Sequence, residues 1–283
     1  MNNLKDRVAL VTGASRGIGK GIAKGLAEKG ATVYITGRTT VQDNEGSLLE
    51  GTINQTAKEV NNLGGKGIAV KCDHRNDEEV KAVFKKIEIE QGKLDILVNN
   101  VWAGYENIYK VKKPADYIFE NNFWELPNKF WDNMFDVGLR SHFIASKLAV
   151  PLMLKNNDGL IVNISFYAGK TYISNVPYGV VKAGVDRLSK DMARELKVYG
   201  ITAVSIYPGL VRTEGVMRNK DFIDLSNSES PLFIGRAVAA LAEDNQVIER
   251  TGQILIAAEL AKDYNFTDKD GSQPKSLRDV YLD

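Results

Sequence analysis

The sequence contains few of the residues that build metal sites or covalent cross-links. Among its 283 residues there is one cysteine, Cys72, and there are two histidines, His74 and His142. A single cysteine cannot form an intramolecular disulfide, and one cysteine with two histidines is too few for a typical structural zinc site. We therefore predict no metal centre and assign catalysis to neither histidine. Cys72 has no histidine-based dyad, so we interpret it as a strand residue and not as a nucleophile.

The chain also lacks an excess of charge and a long apolar run. It has 37 Lys and Arg against 36 Asp and Glu, for a net charge of +1, and the basic residues are dispersed. Binding to nucleic acid requires a basic surface, so we predict no nucleic-acid partner. No apolar run approaches the roughly 18 residues of a transmembrane helix. The amino terminus leads directly into a predicted strand, and we expect a cytoplasmic protein without a signal peptide or membrane segment.

What the chain does contain is a regular alternation of short apolar runs and helical patterns. The runs are rich in β-branched residues and apolar on both faces, which is typical of parallel strands covered by helices on both sides. They lie at Val8–Val11, Thr32–Thr36, Gly67–Val70, Leu94–Val98, Leu160–Ile164, Ala203–Ile206 and Gln253–Ala257. The alternation predicts an α/β, doubly wound Rossmann-type fold with about seven parallel strands flanked by helices. No linker divides the chain, so we predict a single domain over residues 1–283.

Three stretches interrupt this rhythm. Residues 103–134 form a long, aromatic-rich insertion, and residues 265–283 form a polar tail. The insertion follows a strand at the sheet edge where α/β proteins bind ligands. It is interpreted either as a wall over an apolar substrate or as a packed surface segment or subunit contact. The polar stretch 39–51 either borders a cofactor pocket or lies on the surface.

A glycine-rich turn follows the first predicted strand. Its glycines have the spacing G-x-x-x-G-x-G: Gly13 permits a sharp turn, while Gly17 and Gly19 remove Cβ atoms that would obstruct a phosphate. The helix that follows offers free N–H groups and the positive end of its dipole. The turn therefore predicts a site for a dinucleotide pyrophosphate, formed by Gly13, Ser15, Arg16, Gly17, Ile18 and Gly19.

The second predicted strand ends at an arginine and not at an acidic residue. In such folds an acid at this place binds the ribose 2′-hydroxyl, whereas an arginine accommodates a 2′-phosphate. Arg38 stands here, and Arg16 lies in the glycine turn. This pair favours NADP(H) over NAD and disfavours the alternative of an NAD-preferring alcohol dehydrogenase.

Far along the chain, Tyr178 and Lys182 lie four residues apart on one predicted helix face. An unperturbed tyrosine has a pKa of about 10 and is a weak acid at neutral pH. A neighbouring lysine stabilises tyrosinate and lowers that pKa. Tyr178 is then able to donate a proton to a carbonyl oxygen or to remove one from an alcohol.

With these motifs the chain resembles the short-chain dehydrogenase/reductase family from about Leu4 to Ala257. Segments such as Val-Asn-Asn-Val-Trp-Ala-Gly and Asn-Val-Pro-Tyr-Gly-Val look most like the dehydrogenase/reductase member 1 group and its bacterial relatives. The resemblance implies an NADP(H)-dependent oxidoreductase, commonly a homo-oligomer, acting on a small carbonyl or alcohol that we expect to be apolar. It implies a catalytic set of Tyr178, Lys182 and Ser165. It further implies cofactor contacts from Asp73, Asn99, Tyr178, Lys182, Pro208, Gly209, Val211 and Thr213.

Two residues depart from the family pattern. The family carries two serines after the fifth strand and uses the second, whereas this chain has Ser165 followed by Phe166. Ser165 keeps the usual distance to Tyr178, so we expect its hydroxyl to face the nicotinamide. Gly138 replaces the family's proton-relay asparagine, and we expect it to leave a small water-filled space beside Lys182. These departures keep open the alternative of a non-catalytic, cofactor-binding sensor or scaffold.

Overall fold

The computed structural model describes residues 3–41, 49–104 and 122–282. The strands are β1 Val8–Val11, β2 Thr32–Gly37, β3 Lys66–Lys71, β4 Ile96–Asn99, β5 Gly159–Ile164, β6 Ile201–Tyr207, β7 Leu210–Val211, β8 Ser228–Glu229 and β9 Ile254–Ile256. Seven of them form one parallel sheet in the order β3-β2-β1-β4-β5-β6-β9, and the two short strands β7 and β8 pair separately. The predicted Rossmann-type, doubly wound sheet is confirmed.

Helices cover both faces of the sheet. They are α1 Gly17–Ala27, α2 Ile53–Asn62, α3 Asp77–Gln91, α4 Asn128–Phe135, α5 Ser141–Met153, α6 Val176–Leu196, α7 Glu214–Arg218, α8 Pro231–Glu243, α9 Ala257–Asp263 and α10 Arg278–Tyr281. Within the described ranges no helix has the length and apolarity needed to cross a membrane.

Both faces of the central strands are buried, as the apolar runs predict. In β1, Ala9 and Val11 pack in one hydrophobic cluster, whereas Val8 and Leu10 pack in the cluster on the opposite face. Successive side chains of a strand point to opposite faces, so an uninterrupted apolar run requires helices on both sides. The strand order reverses between β1 and β4, which opens a crevice at the carboxyl edge of the sheet.

The connection between β4 and α5 contains the aromatic insertion, of which residues 105–121 lie outside the described ranges. Its described end contains α4, which passes into a single π-helical turn at Asp136–Arg140 before α5 begins. A π turn inserts an extra residue into the helical ladder and is frequent at functional sites. Here it lies beside α6, which carries Tyr178 and Lys182.

The polar tail is anchored to the domain by a buried acid. Asp268 has 1% of its surface exposed, and its Oδ2 accepts hydrogen bonds from Arg212 Nη2 at 2.9 Å and from Ser230 N at 2.7 Å. Arg212 belongs to the loop after β6, so the carboxyl-terminal segment supports a part of the crevice.

Candidate active site

The glycine turn is built by close backbone contacts. Gly13 has a φ of 66°, and a Cβ there would lie 2.7 Å from Val101 Cα. A Cβ at Gly19 would lie 2.4 Å from the amide nitrogen of Asn100. That amide donates to Thr12 O at 2.9 Å and to Gly13 O at 3.1 Å. Side chains larger than hydrogen are therefore excluded, and Asn100 holds the turn against the end of β4.

The side chain of Asn99, a predicted cofactor contact, is buried inside the protein. It has no exposed surface, and its Nδ2 donates to Ser146 Oγ at 3.0 Å and to Asn163 Oδ1 at 2.9 Å. Its side chain therefore ties β4 to β5 and α5, and the cofactor contact of Asn99 stays a prediction. The residue at the crevice is Asn100, which sequence reasoning missed although strand alternation places two consecutive asparagines on opposite sides.

A carboxylate lies at the amino terminus of α1. Glu214 Oε2 accepts a hydrogen bond from Gly17 N at 2.9 Å. Thr213 packs against the same glycine, because a Cβ at Gly17 would lie 3.5 Å from Thr213 Cγ2. Backbone N–H groups at a helix amino terminus bind anions. The contact shows that the turn presents an anion-binding N–H group to the crevice, between the half-buried Ser15 and Ile18.

Arg16 and Arg38 lie close together at the end of β2. Arg16 Nη2 donates to Gly51 O at 3.1 Å, so it contacts one end of the polar stretch 39–51. Residues 42–48 of that stretch lie outside the described ranges. Burial lowers the pKa of Arg16, and Arg38 lowers it further, whereas Glu214 opposes both. Arg38 is half exposed and lies 4.0 Å from Asp73. The two cations repel each other, and a bound anion would relieve that repulsion.

Tyr178 and Lys182 lie on the buried face of α6. The helix begins where Asn175 Oδ1 accepts a hydrogen bond from Tyr178 N at 3.0 Å. Lys182 Nζ lies 5.8 Å from the centre of the Tyr178 ring and donates to Ile164 O at 3.1 Å. Burial lowers the pKa of Lys182 to about 8, opposed by the negative charge of Asp186. A positive charge this close to a tyrosine is able to stabilise the tyrosinate form.

Ser165 does not present its hydroxyl to this pair as predicted. It is 1% exposed, and its Oγ donates to the backbone oxygen of Lys182 at 3.2 Å. The next residue, Phe166, has its ring centre 6.2 Å from that of Tyr178. The expectation that Ser165 faces a nicotinamide is thus contradicted: consecutive residues of an extended segment point to opposite sides. Ser165 ties β5 to α6, and an aromatic ring stands beside the tyrosine.

The space beside Gly138 is also filled differently from the prediction. A Cβ at Gly138 would lie 2.4 Å from Cζ3 of Trp102, so the indole ring occupies the place where we expected water. Cζ3 and Cε3 of Trp102 would lie 2.4 and 2.6 Å from that Cβ, so position 138 accommodates the ring only as a glycine. Gly138 lies in the π turn Asp136–Arg140, so this turn is the segment that packs against the indole.

The loop after β6 closes the crevice opposite the glycine turn. Pro208 ends the strand, and Gly209 N donates to Glu229 Oε1 at 2.6 Å. Burial raises the pKa of Glu229 to about 8, and the hydrogen bond from Gly209 N opposes that rise. Val211 pairs with Glu229 between β7 and β8, and Thr213 Oγ1 accepts from Val216 N at the start of α7. These contacts bring Pro208, Gly209, Val211 and Thr213 to one edge.

The two histidines are buried and neutral. Burial lowers the pKa of His74 to about 4 and that of His142 to about 3. Cys72 is likewise buried, and burial raises its pKa to about 12. Among the described residues no three His, Cys, Asp or Glu side chains form a potential metal cluster.

Comparison with known proteins agrees with this geometry. The family model for short chain dehydrogenases matches residues 7–223. The chain is 40% identical to dehydrogenase/reductase SDR family member 1 of Mus musculus, over 96% of this chain and 86% of the mouse protein. It is 33% identical to a 7alpha-hydroxysteroid dehydrogenase of Paraclostridium sordellii, over 94% of each chain. The solved structure of a short chain dehydrogenase from Mycobacterium thermoresistibile superposes with a TM-score of 0.77 at 25% identity, covering 94% of this chain and 90% of that one.

The family match covers more than half of the chain and spans the glycine turn, Tyr178, Lys182 and the loop after β6. The resemblance found in the motifs is therefore confirmed: the chain belongs to the short-chain dehydrogenase family of nicotinamide-dependent oxidoreductases.

Proposed function

We propose that the protein is an NADP(H)-dependent reductase that interconverts a small apolar carbonyl compound and its alcohol. The observation that carries the proposal is the pairing of Tyr178 and Lys182 on the buried face of α6, at the carboxyl edge of the sheet. The rings of Trp102 and Phe166 lie beside Tyr178 and favour an apolar substrate. A cytoplasmic homo-oligomer remains part of the proposal.

The residues present fit a bound NADP(H). The N–H groups of the glycine turn suit a pyrophosphate, and Arg16 with Arg38 suits a 2′-phosphate. The nicotinamide, when bound, supplies or accepts the hydride. We assign to the same proposed binding set Asp73, which lies near Arg38, and the loop residues Pro208, Gly209, Val211 and Thr213.

The proton chemistry falls to the α6 pair. The positive charge of Lys182 stabilises the tyrosinate form of Tyr178, which brings the phenol closer to the working pH. Tyr178 then gives a proton to the carbonyl oxygen of the substrate, or takes one from the alcohol in reverse. Ser165 is proposed to assist as a positioning residue, because its hydroxyl holds the backbone carbonyl of Lys182.

A second candidate is a cofactor-binding protein without turnover. The observation that favours it is the hydroxyl of Ser165, which is engaged with the helix while Phe166 lies beside Tyr178. NADPH oxidation with a panel of aldehydes and ketones discriminates the two, with NADPH binding followed separately by fluorescence. If the protein binds NADPH but oxidises it with none of the compounds in the panel, the non-catalytic alternative is favoured.

Replacing Arg38 by Asp is expected to weaken NADPH binding about tenfold or more and to reverse the preference for NADPH over NADH. A charged hydrogen bond to a phosphate contributes about 1.5–3 kcal/mol, reduced here because Arg38 is half exposed. Titration of both reduced cofactors measures the change. Lys58→Asp, an exposed position on α2, gives the same charge change as a control. Tighter binding of NADH than NADPH by the unchanged protein would contradict the assignment.

Replacing Glu214 by Gln is expected to tighten NADPH binding about five- to tenfold. The carboxylate lies against Gly17 N, where the pyrophosphate is proposed to bind, and two anions at this place repel each other. Glutamine keeps an oxygen acceptor and removes the charge. Calorimetric titration measures the affinity, and the effect should shrink at high salt if it is electrostatic. Weaker binding by Glu214→Gln would mean that the carboxylate supports the cofactor site.

A further inference from the structure

The indole of Trp102 is enclosed between two glycines. A Cβ at Gly138 would lie 2.4 Å from its Cζ3, and a Cβ at Gly104 would lie 2.5 Å from its Cζ2. Both distances are shorter than any real Cβ contact, so each backbone approaches the ring as closely as a glycine permits. The fold thus holds the ring in one orientation.

This orientation turns the ring face toward Lys182. The Nζ atom lies 4.7 Å from the centre of the Trp102 ring, within the range of a cation–π contact. The same indole meets the Tyr178 ring in a T-shaped arrangement, with the centres 5.6 Å apart. Trp102 therefore touches both members of the proposed catalytic pair.

The surroundings of Lys182 give this contact importance. The side chain is 7% exposed, and the structure describes one backbone acceptor for its ammonium, Ile164 O. Asp186 follows one turn later on α6, where its negative charge favours the ammonium, and it also accepts a hydrogen bond from Tyr207 of β6. From α5, the neutral His142 faces the lysine and brings no negative charge. A buried ammonium requires such compensation, and the indole face supplies part of it.

We propose that Trp102 is the positioning residue of this active site: its ring face holds the ammonium of Lys182 beneath Tyr178, and Gly138 is glycine because the ring needs that space. The catalytic consequence rests on the proposed function, whereas the contact itself does not. Gly138 is then no defect in the site but a requirement for the indole.

The contact favours the charged form of Lys182, so its loss must lower the pKa of that lysine. A desolvated cation–π contact corresponds to about one pKa unit. Trp102→Leu keeps an apolar side chain and removes the ring face, while Trp102→Phe keeps a smaller ring. We expect Trp102→Leu to move the Lys182 titration about one unit toward acid, and Trp102→Phe to move it less. The alkaline limb of the kcat/KM profile should shift by the same amount.

The titration of Lys182 is followed by NMR of the full chain with 13C-labelled lysine, and the Lys182→Met variant identifies its signal. The pH profile of kcat/KM is recorded with NADPH and a carbonyl compound that the protein reduces. Gly138→Ala keeps the tryptophan at position 102, but the added methyl group pushes its ring away from Lys182. This variant should therefore lower the pKa of Lys182 as Trp102→Leu does. An unchanged titration in both Trp102→Leu and Gly138→Ala, with turnover reduced equally at every pH, would overturn the proposal and leave Trp102 a packing residue. If Trp102→Leu does not fold, Trp102→Phe with Gly138→Ala decides in the same way. If the unchanged protein reduces no carbonyl, the proposed function fails, but the NMR titration still tests the contact.

Discussion

Replacing Tyr178 by Phe is expected to lower kcat about 10²- to 10⁴-fold, because the substrate oxygen loses its positioned proton donor. Phenylalanine preserves the ring that packs against Trp102 and Phe166, so the fold and the NADPH affinity should change little. Steady-state oxidation of NADPH measures the first quantity, and a fluorescence titration measures the second. Near-normal turnover by Tyr178→Phe would refute the assignment of the proton donor.

Ser165→Ala is the informative comparison for that variant. The Ser165 hydroxyl donates to Lys182 O, so its removal should cost less turnover than the loss of the Tyr178 hydroxyl. A fall in kcat as large as that of Tyr178→Phe would instead mean that Ser165 turns toward the substrate during the reaction. The two variants thus separate a positioning role from contact with the reacting oxygen.

Replacing Asp268 by Ala is expected to destabilise the protein by about 3 kcal/mol, since removing one partner of a buried ion pair leaves the other uncompensated. The Asp268 carboxylate is fully buried and binds Arg212 and the backbone N–H of Ser230. For a chain of this size, a loss of that order lowers Tm by about 5 °C. Thermal and urea unfolding measure the change.

Asp270→Ala provides the matched control for this variant. Asp270 lies in the same segment, 3.9 Å from Arg212, but its side chain is 55% exposed. Exposed ion pairs contribute about 0–1 kcal/mol, so its loss should change the stability little. Equal destabilisation by both substitutions would mean that any negative charge near Arg212 stabilises the fold, whether or not its carboxylate is buried.

Most of the fold was predictable because its signals are local. The run Val8–Val11 is apolar on both faces, and it becomes a strand buried on both sides. The spacing of Tyr178 and Lys182 places both on one face of a helix, whatever surrounds that helix. Gly13 lies in a turn with a positive φ, as a glycine after a strand suggests.

Sequence spacing was least informative where neighbouring residues point in opposite directions. Asn99 and Asn100 are identical in chemistry, but the first is buried behind the sheet and the second holds the glycine turn. Ser165 and Phe166 are likewise divided, with the hydroxyl against α6 and the ring beside Tyr178. A shift of one residue reverses the side of an extended chain, and the one-dimensional spacing to Tyr178 did not fix that shift.

The sequence by itself determined the parallel sheet, the glycine turn and the tyrosine–lysine pair, because periodicity and short spacing dictate them. Only the tertiary structure decided what completes the site: the Trp102 ring against Gly138, and the contact of Glu214 with Gly17 across 197 residues. Such contacts depend on where distant backbones meet at the edge of the sheet, and no local pattern encodes that meeting. The physical reason is that side-chain packing is a property of the assembled elements, whereas backbone conformation is largely a property of the segment.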